Sequence, residues 1–132
     1  MNAIKNNKPR ILLVEDELVV QKIHRELLEK IGYAVDTAST GAEALEKSSR
    51  GYNLIFMDLG LPDIGGVQVA KIIRAHEKNG NRVPIIGLTA FPIEEVQSAC
   101  INAGMDCVYN KPISPEKLAE IITEYDKSSL MN

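Results

Sequence analysis

Cysteine is scarce in this chain of 132 residues, which holds only Cys100 and Cys107. The two are too far apart for a CxxC redox pair, and neither has a histidine neighbour to complete a zinc site, so both read as reduced packing residues. Basic charge is not in excess either. Fifteen Lys and Arg stand against eighteen Asp and Glu for a net charge of −3, and the lysines are scattered rather than striped. Neither nucleic acid nor an anionic lipid surface is expected as a direct partner. Long apolar runs are missing too: the stretch from Val83 to Ile93 is interrupted by Pro84, Thr89 and Pro92 and is too short to span a bilayer. The first ten residues are polar and lack the apolar core of a secretory signal. These absences lead to the expectation of a soluble, cytoplasmic protein without membrane insertion.

What is present is ordinary globular composition, 45% hydrophobic and 25% charged, at the usual length of one domain. Apolar runs suggest strands at Arg10–Val14, Ala34–Ala38, Leu54–Met57, Ile85–Leu88 and Cys107–Tyr109. Three of these are nearly unbroken, as strands covered on both faces should be, while 34–38 alternates and suits an edge. Between them lie helical patterns. Val20, Ile23, Leu27 and Ile31 form a stripe ended by Gly32, and Thr40 with Glu43 has capping-box spacing. Val67, Ala70 and Ile73 mark a third helix after Gly65-Gly66. Pro92 suits the first turn of a fourth that ends near Gly104, and Ser114-Pro115 begins a fifth carrying Leu118, Ile121, Ile122 and Tyr125. This alternation predicts a single doubly wound α/β domain, (βα)5, over residues 10–126, with flexible segments at 1–9 and 127–132. Its five-stranded parallel sheet would carry helices on both faces.

Polar residues fall just after the apolar strands: Glu15 and Asp16 after the first, Asp58 at the third, Thr89 at the fourth, Lys111 after the fifth. A parallel sheet brings strand ends to one edge, where ligands bind. Crowded carboxylates repel one another unless a cation neutralises them or one is covalently modified. Mg²⁺, hard and strongly hydrated, suits one or two carboxylates with water and phosphate oxygens, and Glu15, Asp16 and Asp58 offer that set. A carboxylate is also a nucleophile toward phosphorus, and Asp58 is the candidate. Lys111 supplies a positive charge for a phosphoryl oxygen, and the Thr89 hydroxyl can donate to another.

Each residue has a bland alternative. Asp58 alone would be a turn former, Glu15-Asp16-Glu17 a helix start favoured by the macrodipole, Thr89 a strand residue and Lys111 a solvated loop charge. Their coincidence at four strand ends outweighs those readings. His24, off the first helix's apolar stripe, reads as a surface histidine without function, and His76 as a helix-end residue.

In order and spacing, LLVEDE at 12–17, MDLGLPDIGG at 57–66, PIIGLTA at 84–90 and AGMDCVYNKPIS at 103–114 resemble the receiver domain of two-component response regulators, over nearly the whole chain. The resemblance implies a flavodoxin-like sheet in the order 2-1-3-4-5. It implies Asp58 as phosphoacceptor, and Mg²⁺, with Mn²⁺ as substitute, held by Glu15, Asp16, Asp58 and the Gly60 backbone carbonyl. It implies Lys111 as the phosphoryl counter-charge, Thr89 and Tyr109 as a switch pair, and a cis peptide before Pro112. The implied partners are a histidine kinase or histidine phosphotransfer protein as donor, and a downstream protein reading the surface of the fourth helix, fifth strand and fifth helix. Such a chain is a signalling phosphoacceptor that assists only its own phosphorylation and dephosphorylation. The 103–114 segment resembles receivers of hybrid kinases more than those of transcription factors.

Two departures from the commoner pattern bear on phosphate lifetime: Gly65 in the turn after the site, and Phe91-Pro92 after Thr89. Rival functions are a Mg²⁺-dependent aspartyl phosphatase and a phosphorylation-independent scaffold of receiver shape. The first would place a second Asp where Gly60 stands, and the second would tend to lose an acidic residue or the lysine. A flavin- or nucleotide-binding module would meet repulsion from Glu15-Asp16-Glu17.

Overall fold

Unbroken apolar strands hide both faces, and the fold provides a helical layer for each. The computed structural model describes residues 8–78 and 80–126. In it, β1 (Arg10–Val14), β2 (Ala34–Ala38), β3 (Leu54–Asp58), β4 (Ile85–Thr89) and β5 (Cys107–Asn110) alternate with helices. These are α1 (Leu18–Ile31), α2 (Gly41–Lys47), α3 (Gly66–His76), α4 (Ile93–Asn102) and α5 (Pro115–Tyr125). All strand pairings are parallel, in the order β2-β1-β3-β4-β5, so the alternating 34–38 segment is indeed an edge.

Side-chain alternation along each strand feeds two separate cores. On one face Leu12, Val14, Ile55, Met57, Ile85 and Val108 meet Ala44 of α2, Val69, Ala70 and Ile73 of α3, and Cys100 of α4. On the other, Ile11, Leu13, Leu54, Phe56, Ile86 and Leu88 meet Leu28 of α1 and Leu118, Ile121 and Ile122 of α5. Each fully buried Leu or Ile contributes roughly 1.5–3 kcal/mol through area removed from water. That burial fixes the strand register, and the register sets which residues emerge at the sheet's end.

Local signals place the helix ends. Thr40 Oγ1 accepts the Glu43 N–H at 3.0 Å, and Glu43 Oε1 accepts from the Ser39 N–H at 2.8 Å, one residue before the cap. Ser114 Oγ accepts the Lys117 N–H at 3.0 Å, with Pro115 at the first helical position. Pro92 is the N-cap of α4 rather than a member of its first turn. Gly32, at φ 120°, ends α1 in a conformation that a side chain would strain.

Helix α1 departs from the expected stripe. Its buried residues are His24 and Leu28, whereas Ile23 is 52% and Ile31 45% exposed. Apolar residues at 18, 19, 20, 23, 27, 28 and 31 cover more than one face, so periodicity alone leaves the helix's rotation open. Packing against β2 and β1, over the core shared with α5, selects the face centred on Leu28. His24, expected at the surface, is carried inside with it.

Most of the terminal segments expected to be flexible lie outside the described residues. Pro9 does not, and its carbonyl accepts the Ala34 N–H at 2.9 Å, continuing the β1–β2 contact. Among the described residues, no helix is long and apolar enough to cross a membrane.

Candidate functional site

The sheet carries Glu15, Asp58, Thr89 and Lys111 to one edge. Asp58 and Thr89 are the last residues of β3 and β4, one position further along each strand than the apolar runs suggest. Glu15 follows β1, its N–H donating to the Ala38 carbonyl at 2.9 Å. One ligand oxygen each from Glu15, Asp16 and Asp58 falls within 4.8 Å of the others. Lys111 Nζ reaches in from beyond β5, 3.3 Å from both Glu15 Oε1 and Asp58 Oδ2. The Lys111–Pro112 peptide is cis.

The pocket is short of positive charge. Glu15 is fully buried, Asp58 nearly so, and one ammonium faces three carboxyl groups. Burial first, and then the facing Asp58 carboxylate, push Glu15 up to about 7. Burial and Asp58 also raise Asp16. For Asp58 itself, burial favours the neutral form, but the Gly60 N–H, contacts with Asp16 and the Lys111 charge outweigh it and hold the group below the usual carboxylate range. Lys111 is lowered by burial and raised more strongly by Asp58 and Glu15, so it stays charged.

Asp58 Oδ1 accepts the Gly60 N–H at 3.0 Å. Its Oδ2 is buried and, apart from the ion pair with Lys111 at 3.3 Å, has no hydrogen-bond partner. An oxygen in that condition, among three hard donors, fits a divalent cation such as Mg²⁺ or Mn²⁺ and leaves an acceptor for a new bond. Chemically, the arrangement is a carboxylate-rich centre with one facing ammonium and an oxygen open to a further ligand.

Thr89 and Tyr109 are not brought together. Gly87 and Thr89 share a face of β4, and a Cβ on Gly87 would meet Val108 of β5 at 3.3 Å. Tyr109, the next residue, packs on the opposite core with α5, and Lys117 Nζ lies 5.7 Å from its ring centroid. The sheet therefore separates the two expected switch residues. Val108, with no ring, and Asn110, the Cα partner of Thr89, are the β5 residues on the Thr89 side.

The roles of three residues near the site are not read from the motifs. A Cβ on Gly66 would stand 2.4 Å from the Asp58 carbonyl oxygen, so glycine there is required by close approach, not by flexibility. His24 is buried with Nδ1 unpartnered, and burial and then the nearby Lys111 charge lower its pKa. Asn110, at the end of β5, donates through its side-chain amide to the Thr89 and Phe91 carbonyls. The Gly65-Gly66 pair was a visible signal. The other two leave none in a single sequence.

The family model of the response regulator receiver domain matches residues 11–123. The chain belongs to this receiver family. Among curated relatives, it is 39% identical over 122 residues to hybrid signal transduction histidine kinase F of Dictyostelium discoideum, covering 89% of the chain and 11% of that protein. It is 36% identical over 116 residues to the aerobic respiration control sensor protein ArcB of Escherichia coli, covering 87% and 15%. Receiver and relative are thus compared at the scale of one domain, because the chain spans only a small share of those proteins.

Among solved structures, the receiver domain of sensor histidine kinase PA1611 from Pseudomonas aeruginosa, crystallised with magnesium coordinated in the active site cleft, has a TM-score of 0.82. It shows 36% identity, and the match covers 91% of this chain and 98% of that one. A chain in the co-crystal of the Saccharomyces cerevisiae phosphotransfer protein Ypd1 with the receiver domain of Ssk1 matches at TM-score 0.83 and 30% identity, covering 92% and 91%.

Proposed function

We propose that this receiver accepts a phosphoryl group on Asp58 from a phosphohistidine donor, a histidine kinase or a histidine phosphotransfer protein. The observation that carries the reading is the trio of buried Glu15 and Asp58 with half-buried Asp16, faced among the described residues by the cation of Lys111. A carboxylate oxygen of Asp58 forms a bond to phosphorus as the phosphorus–nitrogen bond of the donor breaks, its electron pair returning to the imidazole. Glu15, Asp16, Asp58 and the Gly60 carbonyl would hold Mg²⁺, which offsets charge on the transferring group. Lys111 stays protonated and pairs with a phosphoryl oxygen, and the Thr89 hydroxyl donates to another. Turnover of a phosphoester substrate is disfavoured because Gly60 has no side chain to protonate a leaving group.

The donor is proposed to dock at α1. Leu18 and Val19, 67% and 73% exposed, and Ile23 form an apolar patch directly after Glu15-Asp16-Glu17. A helical donor resting there would present its histidine to the pocket. The surface of α4, β5 and α5 is proposed for the downstream partner, and the cytoplasm as the place of action.

Intact mass after incubation with Mg²⁺ and acetyl phosphate tests the reading. One added phosphoryl group on the natural chain, absent in Asp58→Asn, is the expected result. Failure of any adduct to form would favour the phosphorylation-independent scaffold, and steady release of phosphate without an adduct the phosphatase.

A further inference from the structure

The proposed metal ligands come from two separate segments, Glu15 and Asp16 following β1, and Asp58 and Gly60 at and after the end of β3. Their spacing depends on how those segments are held to each other. The first is tied to the β2–α2 junction: the Glu15 N–H donates to the Ala38 carbonyl at 2.9 Å, and Gln21 Nε2 donates to the Glu15 carbonyl at 2.8 Å and to Ser39 Oγ at 3.2 Å. The second reaches the same junction through Asp63. Its Oδ1 accepts the Gly41 N–H at 2.8 Å and its Oδ2 the Ala42 N–H at 3.0 Å. A side chain exposed to water thus uses both carboxylate oxygens on the main chain of a distant segment, and those two bonds hold its pKa below the usual carboxylate range. Packing makes the same join beside it. A Cβ on Gly41 would stand 3.0 Å from the Ile64 Cβ and 3.0 Å from Val69 Cγ2, so the β3–α3 loop lies directly against Gly41.

We propose that Asp63 is a positioning residue for Mg²⁺: by pinning the β3–α3 loop to the β2–α2 junction, it sets the Asp58 and Gly60 donors at a fixed distance from Glu15 and Asp16. The inference rests on the reading of those four residues as the metal's ligands. At its base the loop is closed, because the Gly66 N–H donates to the Leu59 carbonyl at 3.2 Å and Gly66 lies against the Asp58 main chain. Its outer residues, Gly60 to Gly65, are half-buried or exposed. Asp63 stands in the same turn as Gly60, and its two charge-assisted bonds limit where the Gly60 carbonyl can point. Mg²⁺ tolerates little departure from octahedral geometry, so an ion shared between two segments binds best when their separation is set beforehand. Without Asp63 the chain keeps every ligand, but part of the binding free energy goes into ordering the loop around the ion.

Mg²⁺ titration of the metal-free chain, followed through backbone amide resonances, gives the affinity. Hydrogen exchange of the Gly60 amide without metal reports how firmly the loop is held. Asp63→Ala should weaken Mg²⁺ binding about ten-fold, the scale of losing a group that orients a metal ligand, and should speed Gly60 exchange. Asp63→Asn keeps one acceptor but no charge, so it should lose less than Asp63→Ala; a purely long-range role for the Asp63 charge would make the two equal. Thr40→Ala is the control, because it removes the Thr40 Oγ1 bond to the Glu43 N–H and weakens α2 while leaving both bonds to Asp63 in place. It should change neither reading. The inference is overturned if Asp63→Ala binds Mg²⁺ as the natural chain does or leaves Gly60 exchange unchanged, if Asp63→Asn matches Asp63→Ala, or if Thr40→Ala loses as much as Asp63→Ala. Absence of Mg²⁺ binding by the natural chain would instead overturn the metal-ligand reading beneath it.

Discussion

The two halves of the site are built on different terms. Around β1 and β3, Glu15 and Asp58 are sealed among buried strands, Gly66 presses against the Asp58 main chain, and the carboxyl groups repel. Around β4 and β5, Thr89, Phe91 and Asn110 are joined by a few hydrogen bonds at an exposed loop. Rigidity in the first half holds charge together that would otherwise separate. The second is held by side-chain hydrogen bonds beside a stretch open to water, Ala90 to Pro92.

The sharpest way to break the contrast is steric. Gly66→Ala should displace the Asp58 main chain, because the new Cβ would lie 2.4 Å from its carbonyl oxygen with backbone on the other side. A loss of about 2–4 kcal/mol in urea unfolding is expected, the range of serious core strain. Gly65→Ala is the control, since nothing lies within 4 Å of its Cβ, and a loss there as large as at Gly66 would refute the argument.

Electrostatics should produce the next largest effect. Glu15 holds its proton up to about 7 in the folded chain against 4.5 as a free side chain. Its contribution to stability is therefore fully present below pH 4.5 and is lost as pH rises toward 7. Glu15→Gln should remove that loss and be more stable than the natural chain at pH 7.5 by about 1–3 kcal/mol in the absence of metal. Added Mg²⁺ should raise the melting temperature of the natural chain and do so much less for Glu15→Gln. Equal Mg²⁺ responses would mean that Glu15 takes no part in holding the ion.

The smallest expected effect lies behind Lys111. His24 is buried and its pKa lies below the usual 6.5, so the unfolded chain takes up a proton that the folded chain resists. Stability from this group is intact above pH 6.5 and declines as pH falls below it, the opposite sense to Glu15. His24→Leu should flatten the difference between pH 7 and pH 5.5 by about 1 kcal/mol, the usual scale for one buried polar group. A variant whose pH profile matches that of the natural chain would show that other groups set the acid limb.

Most of this architecture was legible before any coordinates. Apolar runs at 10–14, 54–57 and 85–88 require cover on both faces, and Gly32, Thr40 and Ser114-Pro115 mark helix ends through local hydrogen bonding and backbone freedom. Such signals act over a few residues, which is why they survive in one dimension. The acidic residues and Lys111 at successive strand ends could be grouped because parallel strands share an edge. What could not be read was orientation. Helix α1 carries enough apolar residues to face inward in more than one way, and its contact with the sheet decided for His24 and Leu28 over Ile23 and Ile31. Tyr109 and Val108 are neighbours in sequence but lie on opposite faces of a strand. A shift of one residue therefore moves a side chain from one core to the other.

Sequence by itself determined the strand and helix order, the family and the set of residues gathered at the sheet's edge, because these follow from hydrophobic period, capping and chain direction. Tertiary structure alone decided which side chains face one another: that Val108 and not Tyr109 shares a face with Thr89, that Asn110 reaches Phe91, and that Gly66 has no room for a Cβ. Those outcomes depend on register and on contacts between distant segments, and close packing leaves each of them a single solution.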